Sequence, residues 1–177
     1  MLTQDVITSR QKQAAELFDK AGIYVTEDEQ TSIEIADFGL DDFETTGLGV
    51  LVYVNTDRCC AKELAMWPGQ TCPEHMHPPV GDDPGKEETF RCRWGTVFLY
   101  VSGKPAENPA CQPPGDKQAY TVWHEIPLQK GEQYTIGPNT LHWFQAGEEG
   151  AVVSEFSTRS TDENDIFTDN NIQRLPD

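Results

Sequence analysis

Gly69-Gln70-Thr71-Cys72-Pro73-Glu74-His75-Met76-His77, with Glu88 and Gly95 further along, is the stretch on which the fold turns. Side chains alternate along a strand with a period of two, so His75 and His77 project from one face, and Glu88 on the next strand can meet them. That is a facial metal site short of one ligand. Pro138-Asn139-Thr140-Leu141-His142 supplies a candidate, a histidine after a proline turn in a segment that reads as a strand. The chain has 4 histidines, and only His124 lies outside this pattern, as a surface histidine or one supporting a ligand from behind. Glu87 competes with Glu88, but the period sends it to the other face. Glu74 likewise points opposite to His75 and is expected to be a solvated residue. Imidazoles with one carboxylate suit divalent manganese, iron, cobalt, nickel or zinc, and ligand type alone does not choose among them.

Composition narrows the classes. At 177 residues the chain is long enough to bury a core as one domain. A net charge of −17 disfavours nucleic acid and anionic membrane surfaces and favours neutral or cationic small ligands. No apolar run reaches the roughly 20 residues of a membrane span. Met1-Leu2-Thr3-Gln4-Asp5 lacks the basic and apolar regions of a signal peptide, so a cytoplasmic protein is expected. The 5 cysteines, Cys59, Cys60, Cys72, Cys92 and Cys111, are odd in number and show no C-x-x-C spacing, which fits a reducing compartment. Cys72 and Cys92 read as small buried apolar side chains.

Along the chain, Thr8 and Gln11 make a capping box, and Ala14, Leu17, Phe18 and Ala21 share a helical face before Gly22, predicting a helix over about 8–21. Strands are expected at 32–38, 48–54, 61–66, 88–101, 122–126, 133–136, 141–144 and 151–157, with Gly95 bending the fourth into two. The segment 102–116, with Pro105, Pro109, Pro113 and Pro114, is a loop. Short strands behind one leading helix describe an all-β antiparallel barrel or sandwich over about 32–157. The tail, 158–177, keeps Ile166, Phe167, Ile172 and Leu175 to pack back onto it or onto a partner subunit.

The His75/His77/Glu88 pattern resembles the metal motifs of the cupins, G-x5-H-x-H-x3-4-E-x6-G followed by P-x-G-x2-H-x3-N. The interval 78–87 is longer than usual, Pro138 stands at another offset from His142, and Ala146 replaces the common asparagine. Pro78-Pro79-Val80-Gly81-Asp82-Asp83-Pro84-Gly85-Lys86-Glu87 is rich in turn formers, so the insertion need not disturb the flanking strands.

Within the cupins the chain resembles the D-lyxose isomerases from about the first helix onward. The resemblance is carried by Lys86-Glu87-Glu88-Thr89-Phe90, Trp94-Gly95, Thr140-Leu141-His142-Trp143-Phe144-Gln145-Ala146-Gly147, Val153-Ser154-Glu155-Phe156-Ser157-Thr158-Arg159-Ser160 and Asp165-Ile166-Phe167-Thr168-Asp169. Asn170 departs from it, standing where proline is expected. The resemblance implies a single-domain cupin, a jelly-roll or double-stranded β-helix over 1–177. It also implies manganese held by His75, His77, Glu88 and His142, and interconversion of a free aldose and ketose such as D-lyxose or D-mannose through a cis-enediol. A homodimer is expected, and Co2+, Fe2+ or Zn2+ are open as alternative metals.

Isomerisation needs an acid and a base. Lys86, two residues before Glu88, would face the same cavity, with a pKa depressed by desolvation, and Glu155 on the last strand is expected at the same mouth. The plainer reading of the two is a surface lysine and a barrel-lining glutamate. Trp143 follows a ligand and is expected beside the substrate, Arg159 would hold Glu155 or a sugar hydroxyl, and Asp165 and Phe167 would close the pocket from the tail. Arg91 and Arg93 alternate with apolar residues and should face away from the core, which leaves few cations for a sugar phosphate. Two rival readings stay open: an iron-dependent dioxygenase using the same ligands, and a non-catalytic sugar-binding domain.

Overall fold

The structure, a computed structural model, describes residues 2–174, and Leu175 lies outside them. The first helix, α1 (Gln4–Lys20), starts four residues earlier than Thr8 suggested, because Thr3 is its cap and accepts the Val6 N–H at 3.4 Å. Gln11 caps nothing. It is buried and donates its amide to the Thr31 and Ile33 carbonyls at 2.8 and 3.0 Å, tying the helix to the chain that enters the sheet. Gly22, at φ +74°, ends the helix in a left-handed turn. A second helix, α2 (Glu27–Ser32), was not expected; Thr26 and Glu29 form its capping box, and it takes up residues that read as the start of a strand. The first strand, β1 (Glu34–Ala36), is short for that reason.

The remaining strands are β2 (Leu48–Asn55), β3 (Cys60–Met66), β4 (Thr71–Met76), β5 (Glu88–Val101), β6 (His124–Gln129), β7 (Gln133–Ile136), β8 (His142–Ser157) and β9 (Ile166–Phe167). β5 and β8 run antiparallel along nearly their whole lengths, from Glu88↔Ser157 to Val101↔His142. Their two halves have different outer neighbours. The second half of β8 pairs with β3 and the first half of β5 with β7, whereas the first half of β8 pairs with β4 and the second half of β5 with β6. One sheet therefore reads β1-β2-β3-β8-β5-β7 and the other β9-β4-β8-β5-β6. This is the mainly-β antiparallel barrel that the strand pattern led us to expect, in the jelly-roll form that the resemblance implied; 141–144 and 151–157 are halves of one strand, and β9 in the tail was not expected.

Both long strands change sheet at a glycine. Gly95 has φ +68° and Gly150 φ +92°, and a Cβ on Gly95 would stand 2.0 Å from the Gly150 carbonyl oxygen. No side chain fits there. Three apolar clusters follow from this geometry. Phe90, Leu99, Phe144, Val153 and Leu64 fill the space between the sheets. Ala14, Leu17 and Phe18 of α1 seal the outer face of the first sheet over Leu51, Ala65 and Val152, at about 1.5–3 kcal/mol for each large side chain buried. The long loop after β5 folds over the outer face of the second sheet, packing Cys111, Ala119 and Tyr120 against Tyr100 and Trp143.

All five cysteines are free; Cys72 and Cys92 are buried and burial pushes both thiols up, which fits their reading as apolar filler. No helix among the described residues is long and apolar enough to cross a membrane.

Two measurements check this frame. Gly95→Ala should cost about 3 kcal/mol or more in denaturant unfolding, left-handed strain adding to a backbone clash. Gly69→Ala, at φ +69° with open space around it, should cost only about 1 kcal/mol from strain alone; equal costs would remove the sheet-crossing argument. Strong reductant should leave the melting temperature unchanged, whereas a drop would reveal a bridge between cysteines that are free in this structure.

Candidate active site

The inner face of the barrel gathers the histidines because β4 and β8 set His75 opposite His142. His77 follows β4 by one residue, and the turn before β8 is pinned to it: Asn139, left-handed at φ 56°, donates its N–H to the His77 carbonyl at 3.2 Å. The ligand atoms of His75, His77 and His142 all lie within 4.8 Å of one another, and all three residues are buried. Glu88 joins them, its Oε1 3.2 Å from His77 Nε2 and 3.0 Å from His142 Nε2.

The outward nitrogens explain the inward ones. His75 Nδ1 is 2.8 Å from the Pro73 carbonyl, His142 Nδ1 2.9 Å from the Thr140 carbonyl, and His77 Nδ1 2.5 Å from Asp165 Oδ1. These acceptors favour the Nδ1–H tautomer and leave the Nε2 lone pairs to converge, the arrangement found behind metal-binding histidines. His142 Nε2 is buried with no hydrogen-bond partner of its own. Burial holds the His75 pKa well below the usual imidazole range, helped by His142 and His77. On His77 burial acts the same way, but Glu88 and Asp165 outweigh it and push the pKa up to about 9. The donor set fits a divalent cation.

Beside it stands an ion-paired triad. Lys86 Nζ is 2.6 Å from Glu88 Oε2 and 2.6 Å from Glu155 Oε1, and all three side chains are buried. Lys86 lies just before β5, in the inserted loop, which turns under His77 at Gly85 (φ +99°); a Cβ there would come within 2.5 Å of the His77 carbonyl oxygen. The expected depression of the Lys86 pKa is overturned. Burial does push it down, but Glu155 and Glu88 push it well above the usual lysine range, so this is a firm ammonium.

The tail brings Asp165 and Phe167 to this cavity: besides the Asp165 contact with His77, the Phe167 ring stacks on His75 at 5.3 Å and 25°. Two expected substrate contacts are corrected. Trp143 points to the opposite face of β8, where it is fully buried, stacked on Tyr100 at 3.9 Å, with its indole N–H donated to the Val122 carbonyl. Arg159 is half exposed and pairs with Asp57, away from the cavity. Glu87 is exposed, which leaves Glu88 without a competitor. His124 Nδ1 sits 3.1 Å from the Lys104 carbonyl, outside the cavity. Arg91 and Arg93 reach Gln133 and Ser154 instead of the core.

Three cavity residues escaped the sequence reading. Lys62, Asp162 and Arg174 line the same space. Lys62 Nζ is 2.7 Å from Asp162 Oδ2, 2.9 Å from Ser160 Oγ and 3.8 Å from Glu155 Oε1. Arg174 pairs with Glu34 and reaches Asp162. A signal for Lys62 existed: it precedes Leu64 by two on β3, and the period turns both inward. Glu74 was also misjudged. It is 1% exposed.

A jelly-roll barrel with three imidazoles and a carboxylate on its inner face is a cupin. The comparisons agree on the fold: an L-ribose isomerase of Cellulomonas parahominis superposes with a TM-score of 0.81 at 16% identity, covering 97% of this chain and 94% of that one. One of Acinetobacter sp. DL28, a variant in complex with L-ribose, gives 0.82 at 16% identity over the same shares. Sequence goes further. The D-lyxose isomerase family matches residues 13–177. A D-lyxose/D-mannose isomerase of Thermosediminibacter oceani is 64% identical over 100% of this chain and 98% of its own length, and a D-lyxose ketol-isomerase of Thermofilum sp. is 58% identical over 100% and 99%. The chain belongs to the D-lyxose isomerase family and is a sugar isomerase.

Asp162 offers a test of the buried charges. Burial pushes its carboxyl up, but Lys62 and Lys86 outweigh this and hold it well below the usual carboxylate range. A depressed folded-state pKa contributes stability that is present above the unfolded value, about 3.9, and lost as pH falls below it. Between about pH 5 and 3 the wild type should therefore lose more stability than Asp162→Asn; parallel pH profiles would show that the pairing contributes nothing.

Proposed function

We propose that this chain is a single-domain, manganese-dependent aldose–ketose isomerase. It would act in the cytoplasm as a homodimer and interconvert D-lyxose and D-xylulose, and D-mannose and D-fructose, as free sugars. The observation that carries the reading is the Lys86–Glu155 pair at 2.6 Å, held against Glu88 beside three convergent imidazoles. The relatives' names supply the substrates.

His75, His77, Glu88 and His142 would hold the divalent cation, which when bound supplies a Lewis acid that polarises the substrate's carbonyl and adjacent hydroxyl. Three cationic side chains, Lys62, Lys86 and Arg174, line the cavity against four carboxylates, Glu88, Glu155, Asp162 and Asp165. With His77 pushed up to about 9 those charges balance in the metal-free cavity, and a dication held there in place of the His77 proton would leave a positive excess, which suits the negative charge that builds on substrate oxygen. Glu155 is the base that takes the proton from C2 of the aldose. Lys86, an ammonium between two carboxylates, holds Glu155 in place and gives a proton to O1 as the cis-enediol forms; Glu155 returns its proton to C1, and O2 gives up its hydroxyl proton to Lys86 as the ketone carbonyl forms. Lys62 and Asp162 meet the sugar hydroxyls at the far side of the cavity, in place of Arg159. Phe167 covers the imidazoles and keeps bulk water off them.

The experiment is turnover under nitrogen in D2O with added Mn2+. An isomerase interconverts the sugars without oxygen and places deuterium at C1 of the ketose or C2 of the aldose; an oxygenase stays idle and a binding domain forms no product. Chelation, or His142→Ala, should abolish turnover, while Lys86→Met and Glu155→Gln should retain metal and lower kcat by roughly 100-fold or more. Wild-type turnover in a chelated sample, or in either variant, would sink the corresponding assignment.

A further inference from the structure

Glu74 is the buried ionisable group that the proposed reaction does not use. The alternation of β4 turns it away from His75, onto the sheet's outer face, where the loop after β5 and the tail cover it. It is 1% exposed and both carboxylate oxygens are saturated. Oε2 accepts the N–H groups of Thr121 and Val122 at 2.6 and 3.0 Å, and Oε1 accepts the hydroxyls of Thr121 and Thr168 at 2.8 Å each. Its own carbonyl accepts the Thr168 N–H at 3.1 Å. One residue thus joins β4, the segment leading to β6, and the chain just past β9.

The third junction matters for chemistry. β9 is only two residues long and meets β4 at His75↔Phe167 and Met76↔Ile166. Ile166 is 50% exposed, so of the two residues only Phe167, packed on Phe38 and the core, holds the short strand by apolar contact. Yet it delivers Asp165 to His77 Nδ1 and the Phe167 ring to His75. We infer that Glu74 is a positioning residue: from behind β4 it holds the segment carrying Asp165 and Phe167 against the imidazoles of His77 and His75. A saturated buried carboxylate suits this task because it fixes three segments in one orientation, which an apolar contact, having no direction, does not.

The inference rests on those imidazoles holding a divalent ion, and the test separates the two ideas. Mn2+ affinity is measured by calorimetry, and amide hydrogen exchange at residues 165–169 is followed in the metal-free protein. Thr168→Val removes one donor and leaves the rest of the Glu74 network. It should weaken Mn2+ binding on the order of tenfold, the low end for disturbing the outer partner of a metal-bound histidine, and speed exchange at 165–169. Thr168→Ser, which keeps the hydroxyl, should restore both. Thr121→Val cuts a bond to the same Oε1 without touching the tail, so it should lower the melting temperature comparably and leave Mn2+ affinity unchanged. In an Asp165→Ala background most of the Thr168→Val effect on affinity should vanish, since the two act in series. Wild-type affinity in Thr168→Val, or an equal loss in Thr121→Val, overturns the inference alone. A wild type that binds no Mn2+ overturns it together with the metal reading.

Discussion

The pairing of β5 with β8 is the constraint on which everything else hangs. Each strand belongs to both sheets, and the two cross between sheets at Gly95 and Gly150, whose backbones touch where a side chain would stand. The crossing curls the sheet and leaves an inner face. The two strands pair on both sides of the bend, with register shifts at Cys92/Trp94 and Gly95/Val97, and Glu88 at one end of β5, Glu155 late in β8 and His142 at the start of β8 all project into one interior. A slip by one residue would reverse every one of those side chains.

That interior holds several charged side chains, among them Lys62, Lys86, Glu88 and Glu155. Buried ions survive only when paired and hydrogen-bonded, and the cavity meets this by interleaving: Lys86 between Glu88 and Glu155, Lys62 between Glu155 and Asp162, Arg174 between Asp162 and Glu34. The chain of alternating signs runs from the imidazoles to the tail. Its cost in desolvation is borne by the apolar layer of Phe90, Leu64 and Phe144 that seals the space between the sheets.

Much of this was legible from residue order, and the failures have physical causes. His75 and His77 were legible because a period-two strand makes H-x-H a statement about direction, and His142 because it follows a proline turn in a segment that reads as a strand. The same rule argued against Trp143, which follows a ligand and must therefore point away from it; adjacency in sequence was mistaken for adjacency in space. Thr8 matched a capping pattern inside a helix that Thr3 had already begun, and Gln11 was committed to carbonyls at residues 31 and 33, a contact that local sequence does not encode. Glu74 was expected in water because its face of the sheet is outward. What covers that face is the segment around residue 121 and the chain at residue 168, and packing at such separations leaves no local mark. Asp162 was hidden for a related reason: it belongs to no motif, and only the closure of the barrel sets it beside Lys62, whose inward direction the alternation of β3 does indicate.

The order in which these parts occur along the chain has a consequence for biosynthesis. The histidine pair at 75 and 77 leaves the ribosome early, while His142, Glu155 and Asp165 come later, and the strand bearing Phe167 needs β4 already in place as its template. During synthesis His75 has the Pro73 carbonyl that orients it from the start, but the cavity's lining is complete only once the segment bearing Asp165, Phe167 and Arg174 has been made.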